Sequence, residues 1–450
     1  MDVAALRRQA HGTRHPAAPA LRRTLRLWQV AVSGIGVILG AGVYALIGPA
    51  AGLAGNALWL AFLLAGVAAG LTAYSYARLG TMRPKDSPEF QYTTLAFGPR
   101  IGFLAGWLML AADLLAVAAV TLGFGGYLAY LLGTPIVANA LVLLAVTGVF
   151  LLAGIGKSVA LAILLTVVEV AGLVFVILIG LPDWSRMSFF EMPHGAPGLS
   201  AAAALIFFAY LGFDEIGNFA EEMRQPERDL PRALLLSMAG ATLIYLLVAV
   251  SATAAVGWQG LSTSPAPLAL VARQSLGPAA ETTISVIALA ATANTVLLLL
   301  VAAGRSVYGM AASGVLPRRL GAVGNRGVPT QATLLVTGIS GMLVLLGDLA
   351  RVAALTDAAV LLSFMLVNLS LPWVVSRRIK GPRLARRLLD LIVPSLAFLM
   401  CGWLLFHTGW SSLAVAGGLA IVGLAVGRRR PNRGVAAPPP AVRPEDGRPG

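Results

Sequence analysis

Cysteine, histidine and charge are all scarce in this sequence, and each shortage excludes a class of protein. The single cysteine, Cys401, rules out an intrachain disulfide bond. The four histidines lie outside the long apolar runs or at the end of one, which argues against a histidine proton relay or a His/Cys metal cluster inside them. Only 12% of the residues are charged, whereas soluble domains carry about 25%. The composition therefore excludes an ordinary soluble domain.

Sequence motifs for catalysis and nucleotide binding are also missing. The chain contains no G-x-S-x-G elbow, no H-E-x-x-H helix and no Walker loop. We therefore expect a protein that is not an enzyme, needs no cofactor or metal and is not driven by ATP. No short apolar segment with a cleavage site precedes the first long apolar run, so no cleavable signal peptide is expected.

Long apolar runs dominate what is present, since 58% of the residues are hydrophobic. Stretches of about 17–25 apolar residues are long enough to cross a bilayer as helices. Twelve such stretches are predicted, at 30–49, 56–77, 101–131, 136–154, 158–181, 199–220, 232–256, 279–303, 330–347, 353–376, 389–407 and 410–427. The third and eighth are long and are expected to tilt or extend beyond the bilayer.

The basic residues predict the orientation of these spans. Of the 33 Lys and Arg residues, all but Arg186, Arg273 and Arg351 fall in segments that share one side of the membrane with both termini. Basic segments stay in the cytoplasm, so both termini are expected there, in a multi-pass protein of the plasma membrane. The net charge of +14 is thus assigned to contact with lipid head groups rather than to nucleic acid. Residues 1–27 and 428–450 are predicted to be disordered basic tails.

The first apolar stretch contains an unusual number of glycines, in "SGIGVILGAGVYALIGPAAG" (33–52). The group Gly40, Ala41 and Gly42 lies near its middle. A helix break at this depth is tolerated only where the backbone lines a polar cavity or a ligand. Free N–H groups there suit a carboxylate, and free carbonyl groups suit an ammonium group or a cation. The alternative is that small residues only allow close helix packing.

The sixth stretch is interrupted in a similar way. Gly212 stands next to Phe213, followed by Asp214 and Glu215, still within the apolar region. Acidic residues at that depth are costly and usually functional. The first and sixth stretches occupy equivalent places in two halves of five spans each. Paired interruptions of this kind indicate the binding site of a transporter.

Four segments carry a family resemblance: "GIGVILGAGVY", "YARLGTMRPKDSPEFQYTTLAFGPRIGFLAGW" (76–107), "FFAYLGFDEIGNFAEEMRQPERDLPRA" (207–233) and "RSVYGMAASGVLPRRL…GVPTQA" (305–332). Over about residues 28–427, the sequence resembles the amino acid–polyamine–organocation (APC) superfamily of transporters. One departure from the family pattern is Arg78, which replaces an acid that is usual at this position.

The resemblance implies an all-α membrane protein of twelve transmembrane helices with a LeuT-like fold. Two inverted five-helix repeats, at 28–181 and 199–377, would form the core, with helices 1 and 6 discontinuous. Two peripheral helices, at 388–427, would complete it. The resemblance also implies a secondary active transporter that imports amino acids by alternating access around a site at mid-membrane.

Site residues follow from the same resemblance. The substrate carboxylate would be held by backbone N–H groups of Gly40, Ala41 and Gly42. The substrate ammonium group would be held by backbone carbonyl groups near five residues: Ile35, Gly36, Phe208, Ala209 and Leu211. The ring of Phe208 would close over the bound substrate, or would alternatively only pack in the core.

The intramembrane acids are the candidates for proton coupling: Asp113, Glu169, Asp214 and Glu215. Burial favours the neutral form of a carboxyl group, which can then take up and release a proton near neutral pH. Glu169 is the first candidate, because its position resembles that of a protonatable lysine in some members of the superfamily. Its alternative role is a hydrogen bond across helices, to Thr166, Thr292, Asn294 or Thr295. Asp113 could bind a cationic substrate side chain, carry a proton or serve a structural role.

Other modes of transport remain open at this point. Thr292 and Thr295 could complete a sodium site, which would make the protein a sodium-coupled symporter. An exchanger of amino acids or polyamines without ion coupling is a further alternative, and a receptor or channel on the same scaffold is another. A cavity lined mostly by Ala, Val, Leu and Phe suggests a neutral amino acid, whereas Asp113 leaves cationic ones open. The sequence leaves the oligomeric state open.

Overall fold

The computed structural model describes residues 25–82, 88–153, 159–312, 316–324, 327–378 and 384–428. Within these ranges the chain forms helices and no β-strand, apart from one isolated bridge between Leu25 and Met223. The helices are α1 Leu27–Ile38, α2 Gly42–Ala54, α3 Leu58–Met82, α4 Pro88–Phe97, α5 Pro99–Leu132, α6 Ile136–Leu152, α7 Val159–Gly180, α8 Gly195–Ile206, α9 Pro226–Thr263, α10 Pro267–Leu276, α11 Pro278–Ala312, α12 Thr330–Val344, α13 Leu349–Arg378, α14 Leu384–His407 and α15 Trp410–Arg428. The predicted tails lie outside the described residues except for 25–27 and 428.

The expectation of an all-helical membrane protein is confirmed. In the described ranges, nine helical stretches are long and apolar enough to cross a membrane, with Gly42–Met82 counted as one of them. Three shorter apolar helices, α1, α6 and α12, coincide with the first, fourth and ninth predicted stretches. The third and eighth stretches are indeed long, since α5 has 34 residues and α11 has 35. Helix α9 runs past its predicted end at 256, and it bends at Gly257, where φ is 78°.

Both predicted interruptions are present. Helix α1 ends at Ile38, Leu39–Ala41 form a turn, and α2 begins at Gly42. Helix α8 ends at Ile206 and continues as two short 3-10 segments, Phe207–Tyr210 and Phe213–Glu221. Gly212 lies between these two segments with φ 106°, a backbone conformation that is costly for residues with a Cβ atom. Gly212 therefore permits the backbone turn that interrupts the sixth stretch.

An aromatic cluster packs the sixth stretch against its neighbours. Tyr76 of α3 meets Phe213 at 5.6 Å and Phe364 of α13 at 5.5 Å between ring centroids, both nearly edge to face. Tyr92 of α4 contacts the same Tyr76 ring at 5.8 Å. Edge-to-face aromatic pairs add to the stabilisation that comes from burial. The cluster fixes the position of the chain just after the second break.

The start of α1 is attached to the end of the sixth stretch by backbone hydrogen bonds. The Leu25 N–H group donates to the Glu222 carbonyl oxygen at 3.0 Å, and the Arg224 N–H group donates to the Leu25 carbonyl oxygen at 3.2 Å. The Ser237 hydroxyl group of α9 donates to the Ala31 carbonyl oxygen at 3.0 Å. The two interrupted stretches are therefore connected at this end of the bundle as well as at their breaks.

Arg78, the departure from the family pattern, forms an ion pair with Asp390 of α14. The Arg78 Nε and Nη2 atoms each donate to an Asp390 carboxylate oxygen at 2.7 Å, and the Tyr74 hydroxyl group donates to Oδ1 at 2.8 Å. The Asp390 side chain is 1% exposed and that of Arg78 13%. A bidentate pair of this kind is among the stronger polar contacts in proteins. It attaches α14 to α3.

Removal of the Asp390 charge is expected to destabilise the protein. Asp390→Asn leaves the Arg78 guanidinium group largely buried without its counter-charge, at a cost of about 3 kcal/mol. The measurement is thermal unfolding in detergent. The double variant Arg78→Met/Asp390→Leu, which removes both charges, should recover most of the loss. If the single and double variants unfold at the same lowered temperature, the unpaired Arg78 charge is not the cause of the loss.

Candidate functional site

The two helix breaks face each other across a very short distance. A Cβ atom built on Gly42 would lie only 2.8 Å from the Cα atom of Ala209. A Cβ atom on Gly212 would lie 3.1 Å from Cγ1 of Val37 and 3.2 Å from the Val37 carbonyl oxygen. The approach is therefore backbone to backbone at both points, and glycine permits it because it has no side chain.

Tyr245 of α9 connects the two breaks and was not singled out from the sequence. Its hydroxyl oxygen lies 2.6 Å from the Ile38 carbonyl oxygen and 2.7 Å from the Ala209 carbonyl oxygen. The single hydroxyl proton can be donated to only one of these carbonyl groups at a time. Because the breaks release both carbonyl groups from helical hydrogen bonding, Tyr245 satisfies backbone that would otherwise be exposed in the core.

Helix α11 reaches the first break through Thr295. The Ala41 N–H group donates to the Thr295 Oγ1 atom at 3.3 Å, and the Thr295 hydroxyl group donates to the Ala291 carbonyl oxygen at 3.0 Å. A Cβ atom on Gly40 would lie 3.6 Å from the same Oγ1 atom. Thr292, the other threonine considered for a sodium site, donates to the Ala288 carbonyl oxygen of its own helix at 2.7 Å. Thr295 is thus hydrogen-bonded to the first break, whereas the Thr292 hydroxyl group is hydrogen-bonded to carbonyl groups of its own helix, α11.

Two of the five predicted ammonium acceptors, Ile35 and Phe208, have carbonyl oxygens that already accept a backbone N–H group. The Ile35 carbonyl oxygen accepts the Leu39 N–H group at 2.9 Å, and the Phe208 carbonyl oxygen accepts the Leu211 N–H group at 3.2 Å. Each carbonyl oxygen retains a second lone pair for a ligand. Gly36 faces α7, where a Cβ atom would lie 2.8 Å from Cγ2 of Thr166. The Phe208 side chain is buried beside the break.

Glu169 lies in the interior on α7. Its side chain is 2% exposed, and the Oε1 atom has no hydrogen-bond partner among the described residues. Its backbone carbonyl oxygen accepts the Tyr44 hydroxyl group of α2 at 2.7 Å. Glu169 is thus attached to the helix that follows the first break, and its Oε1 atom is available for a proton.

The remaining acids gather near the second break. The buried Asp214 carboxylate accepts the Gly212 N–H group at 3.1 Å. Asp113 of α5, which is half-buried, lies close enough to Asp214, Glu215 and Glu89 for their charges to act on it. Glu215, on the 3-10 segment Phe213–Glu221, has an exposed side chain, in contrast to the buried Asp214.

Glu89 of α4 is a further buried acid that the sequence reading missed. Its carboxylate accepts the Tyr76 hydroxyl group at 2.7 Å. Burial, and to a smaller extent the nearby Asp214 charge, raise the pKa of Glu89 to about 8, against the opposing effect of the Tyr76 hydrogen bond. The group therefore holds its proton at neutral pH. Nothing in the basic segment around it distinguishes this acid from a solvated one.

A cavity of about 280 Å³ begins one helical turn beyond the first break. Ala45 and Pro49 of α2 line it, together with Gly126 of α5 and Ser264 and Pro265 before α10. The cavity therefore borders α2, the helix that begins at Gly42 of the first break.

These features define a polytopic helical membrane protein in which two interrupted helices meet inside the bundle. The family model for amino acid permeases matches residues 25–425. The chain belongs to this family, within the APC superfamily, as the sequence motifs predicted.

Two curated relatives match over nearly their whole length, and a third matches over part of its length. The chain is 28% identical to the branched-chain amino acid permease BcaP of Bacillus subtilis, over 88% of this chain and 90% of the relative. It is 31% identical to an uncharacterized transporter of Mycobacterium tuberculosis, over 90% of each. It is 28% identical to the vacuolar cationic amino acid transporter 2 of Arabidopsis thaliana, over 80% of this chain and 60% of that protein. All three are named as transporters.

The close approach at Gly42 leads to a prediction. Gly42→Ala places a methyl group against the Ala209 backbone, and forcing an extra methyl group into a packed site costs about 1–3 kcal/mol. We expect substrate uptake to fall roughly tenfold or more in proteoliposomes. The matched control is Gly70→Ala in α3, where an added Cβ atom meets nothing within 4 Å. Equal uptake by the two variants would show that the breaks do not need this contact.

Proposed function

We propose that the protein is a secondary active transporter that imports amino acids across the plasma membrane by alternating access, driven by proton symport. The observation that carries this proposal is the meeting of two helix breaks, joined by Tyr245 inside the bundle. Unwound backbone in the interior of a membrane protein is kept where it binds a ligand. The family membership supports amino acids as the ligand class.

The proposed architecture is the one that the sequence resemblance implies. Twelve membrane crossings, with the first and sixth interrupted, form two inverted five-helix repeats and two peripheral helices. Both termini are in the cytoplasm, on the side of the basic segments. The coincidence of a helix with every predicted stretch supports this arrangement.

The proposed substrate site uses the backbone of both breaks. Gly40, Ala41 and Gly42 offer N–H groups at the start of α2, where the helix dipole favours a carboxylate. The Ala41 N–H group would exchange its Thr295 partner for the carboxylate. The ammonium group is received by backbone carbonyl groups on the other ends of the breaks. These belong to Ile35, Gly36, Phe208, Ala209 and Leu211. The Phe208 ring covers the bound substrate.

The proposed proton carrier is Glu169, because its buried Oε1 atom is without a partner in the described chain. Three further acidic residues lie around the second break: Asp113, Asp214 and Glu215. Sodium is the competing ion, and Thr295 is the residue that favours it, since it is bonded to the first break. A sodium site that also needs Thr292 is less well supported, because that hydroxyl group is bonded within α11.

The proposed substrates are neutral branched-chain amino acids. The side chains around the breaks are mostly apolar, and one relative is named as a branched-chain amino acid permease. A cationic substrate is the alternative, favoured by Asp113 and by the name of the plant relative.

Uptake by the purified protein in proteoliposomes tests the proposal. Labelled leucine, isoleucine, valine, lysine and arginine are offered under an inward pH gradient, an inward sodium gradient or neither. We expect accumulation of leucine, isoleucine and valine with the pH gradient alone. Counterflow without accumulation under either gradient would identify an exchanger, and accumulation only with sodium would replace the proton by sodium.

A further inference from the structure

Asp357 of α13 is a second buried acid with no assigned role. Its residue exposure is 0%, and neither carboxylate oxygen has a hydrogen-bond partner among the described residues. An unpartnered carboxylate in the interior is one of the most costly groups a protein can bury. Structures retain such groups mainly where they are used.

The position of Asp357 places it beside the second helix break. Phe364, two helical turns further along α13, packs against Phe207 at 6.1 Å and Phe213 at 5.3 Å between ring centroids. Asp357 lies on the same face, since residues seven apart in a helix share a face. The Phe208 N–H group lies close to the Asp357 carboxyl group, outside the limits of a hydrogen bond.

The buried position of Asp357 excludes every ligand larger than a proton. The carboxyl group has no accessible surface, so there is no space for a substrate ammonium group or a hydrated cation. No group of three or more potential metal-ligating side chains occurs in the part of the chain that the structure describes. The described charged, phenolic and imidazole side chains on the elements packed against α13 are Tyr44, Tyr74, Tyr76, Arg78, Glu89, Tyr92, Arg100, Asp113, Tyr127, Tyr130, Tyr210, Arg386, Arg387, Asp390 and His407. None of them forms a hydrogen bond or an ion pair with Asp357, whose carboxylate oxygens have no partner among the described residues.

We propose that Asp357 is a proton-binding site that controls the 3-10 turn Phe207–Tyr210. The ionised carboxylate attracts the Phe208 N–H group and draws the turn toward α13. Protonation of one carboxylate oxygen removes the charge and releases the turn. The proton therefore sets whether Phe208 closes the second break. This inference rests on the proposed function, because it assumes that Phe208 moves during transport.

Glu169 and Asp357 also occupy comparable places in the two proposed repeats. Glu169 lies on α7, the fifth span of the first half, and is attached through Tyr44 to the helix after the first break. Asp357 lies on α13, the fifth span of the second half, next to Phe208 at the second break. Each break is thus accompanied by a buried acid from the fifth span of its own half.

The test is the pH dependence of substrate counterflow, which needs no net proton movement. The full-length protein carrying Asp357→Asn is compared with the unmodified protein in proteoliposomes. The asparagine amide of this variant cannot ionise. We therefore expect the Asp357→Asn protein to have the same counterflow rate at every pH, equal to the rate of the unmodified protein at acidic pH. Glu227→Gln at the exposed start of α9 is the matched control and should leave the pH profile unchanged.

A spectroscopic readout accompanies the rates. Infrared difference spectra between acidic and alkaline samples should contain a carbonyl band of a protonated carboxylic acid that disappears in Asp357→Asn and persists in Glu227→Gln. An Asp357→Asn protein with an unaltered pH profile and an unaltered band overturns the inference. If the unmodified protein shows no counterflow of any amino acid, the proposed function fails instead.

A second variant keeps the test decisive if Asp357→Asn does not fold. Asp357→Glu retains an ionisable group but places it one methylene further from α13, so the midpoint of the counterflow profile should shift. An unshifted midpoint in a folded Asp357→Glu protein contradicts the proposal.

Discussion

Glu169→Gln is expected to abolish proton-driven accumulation while substrate counterflow continues. The carboxyl group of Glu169 is the proposed proton carrier, and its Oε1 atom has no partner among the described residues. A pH gradient of one unit supplies about 1.4 kcal/mol for each proton carried, which supports roughly tenfold accumulation. With glutamine at this position no proton is carried, so the internal concentration should rise only to the external one.

The measurement is accumulation of labelled substrate in proteoliposomes with and without an inward pH gradient. Counterflow in the same vesicles shows that the variant folds and still alternates between its two open states. Glu281→Gln is the control and should accumulate substrate normally, because Glu281 lies in the first turn of α11, about four helical turns before Thr295. Accumulation by Glu169→Gln at the level of the unmodified protein would remove Glu169 from the coupling mechanism.

Tyr245→Phe is expected to weaken transport strongly, because it deprives the carbonyl groups of both breaks of their shared donor. The hydroxyl oxygen lies within 2.7 Å of the Ile38 and Ala209 carbonyl oxygens. Leaving a buried carbonyl group unsatisfied costs about 1–3 kcal/mol. Counterflow at low substrate concentration should therefore fall by roughly tenfold to a hundredfold.

Tyr127→Phe is the matched control for this experiment. The Tyr127 hydroxyl group also donates to a buried backbone carbonyl oxygen, that of Tyr44, at 3.2 Å. Its loss should lower the thermal stability of the protein in detergent with little change in the KM of counterflow. If the two variants lose counterflow to the same extent, then a general loss of packing, and not the bridge between the breaks, explains the effect.

The interruptions and the long helices could be predicted from sequence because each has a local cause. Glycine at 40, 42 and 212 weakens the helix wherever it is placed, and the Phe-Asp-Glu segment after Gly212 cannot continue an apolar span cheaply. Long apolar runs predict long helices in the same local way. The breaks in the first and sixth stretches were therefore predictable without any knowledge of contacts.

Contacts between distant parts of the chain could not be predicted in this way. Arg78 stood out only as a departure from a pattern, and its partner Asp390 lies 312 residues further along. Tyr245 is a lone aromatic residue in an apolar run, so no periodicity marks it as a bridge. Asp357 stands close to the start of the predicted stretch 353–376, where an acid is expected at the membrane surface. Helix α13 begins earlier, at Leu349, and Asp357 lies on the face of this helix that is buried in the bundle.

The central claim is that backbone groups of the two breaks bind both charged groups of an amino acid. Competition against labelled leucine counterflow tests it most directly, with leucine, leucine amide, isoamylamine and 4-methylpentanoate as competitors of the same side chain. We predict that only leucine competes in the low concentration range, and that loss of either charged group weakens competition by at least tenfold. Equal competition by isoamylamine or 4-methylpentanoate would contradict the account.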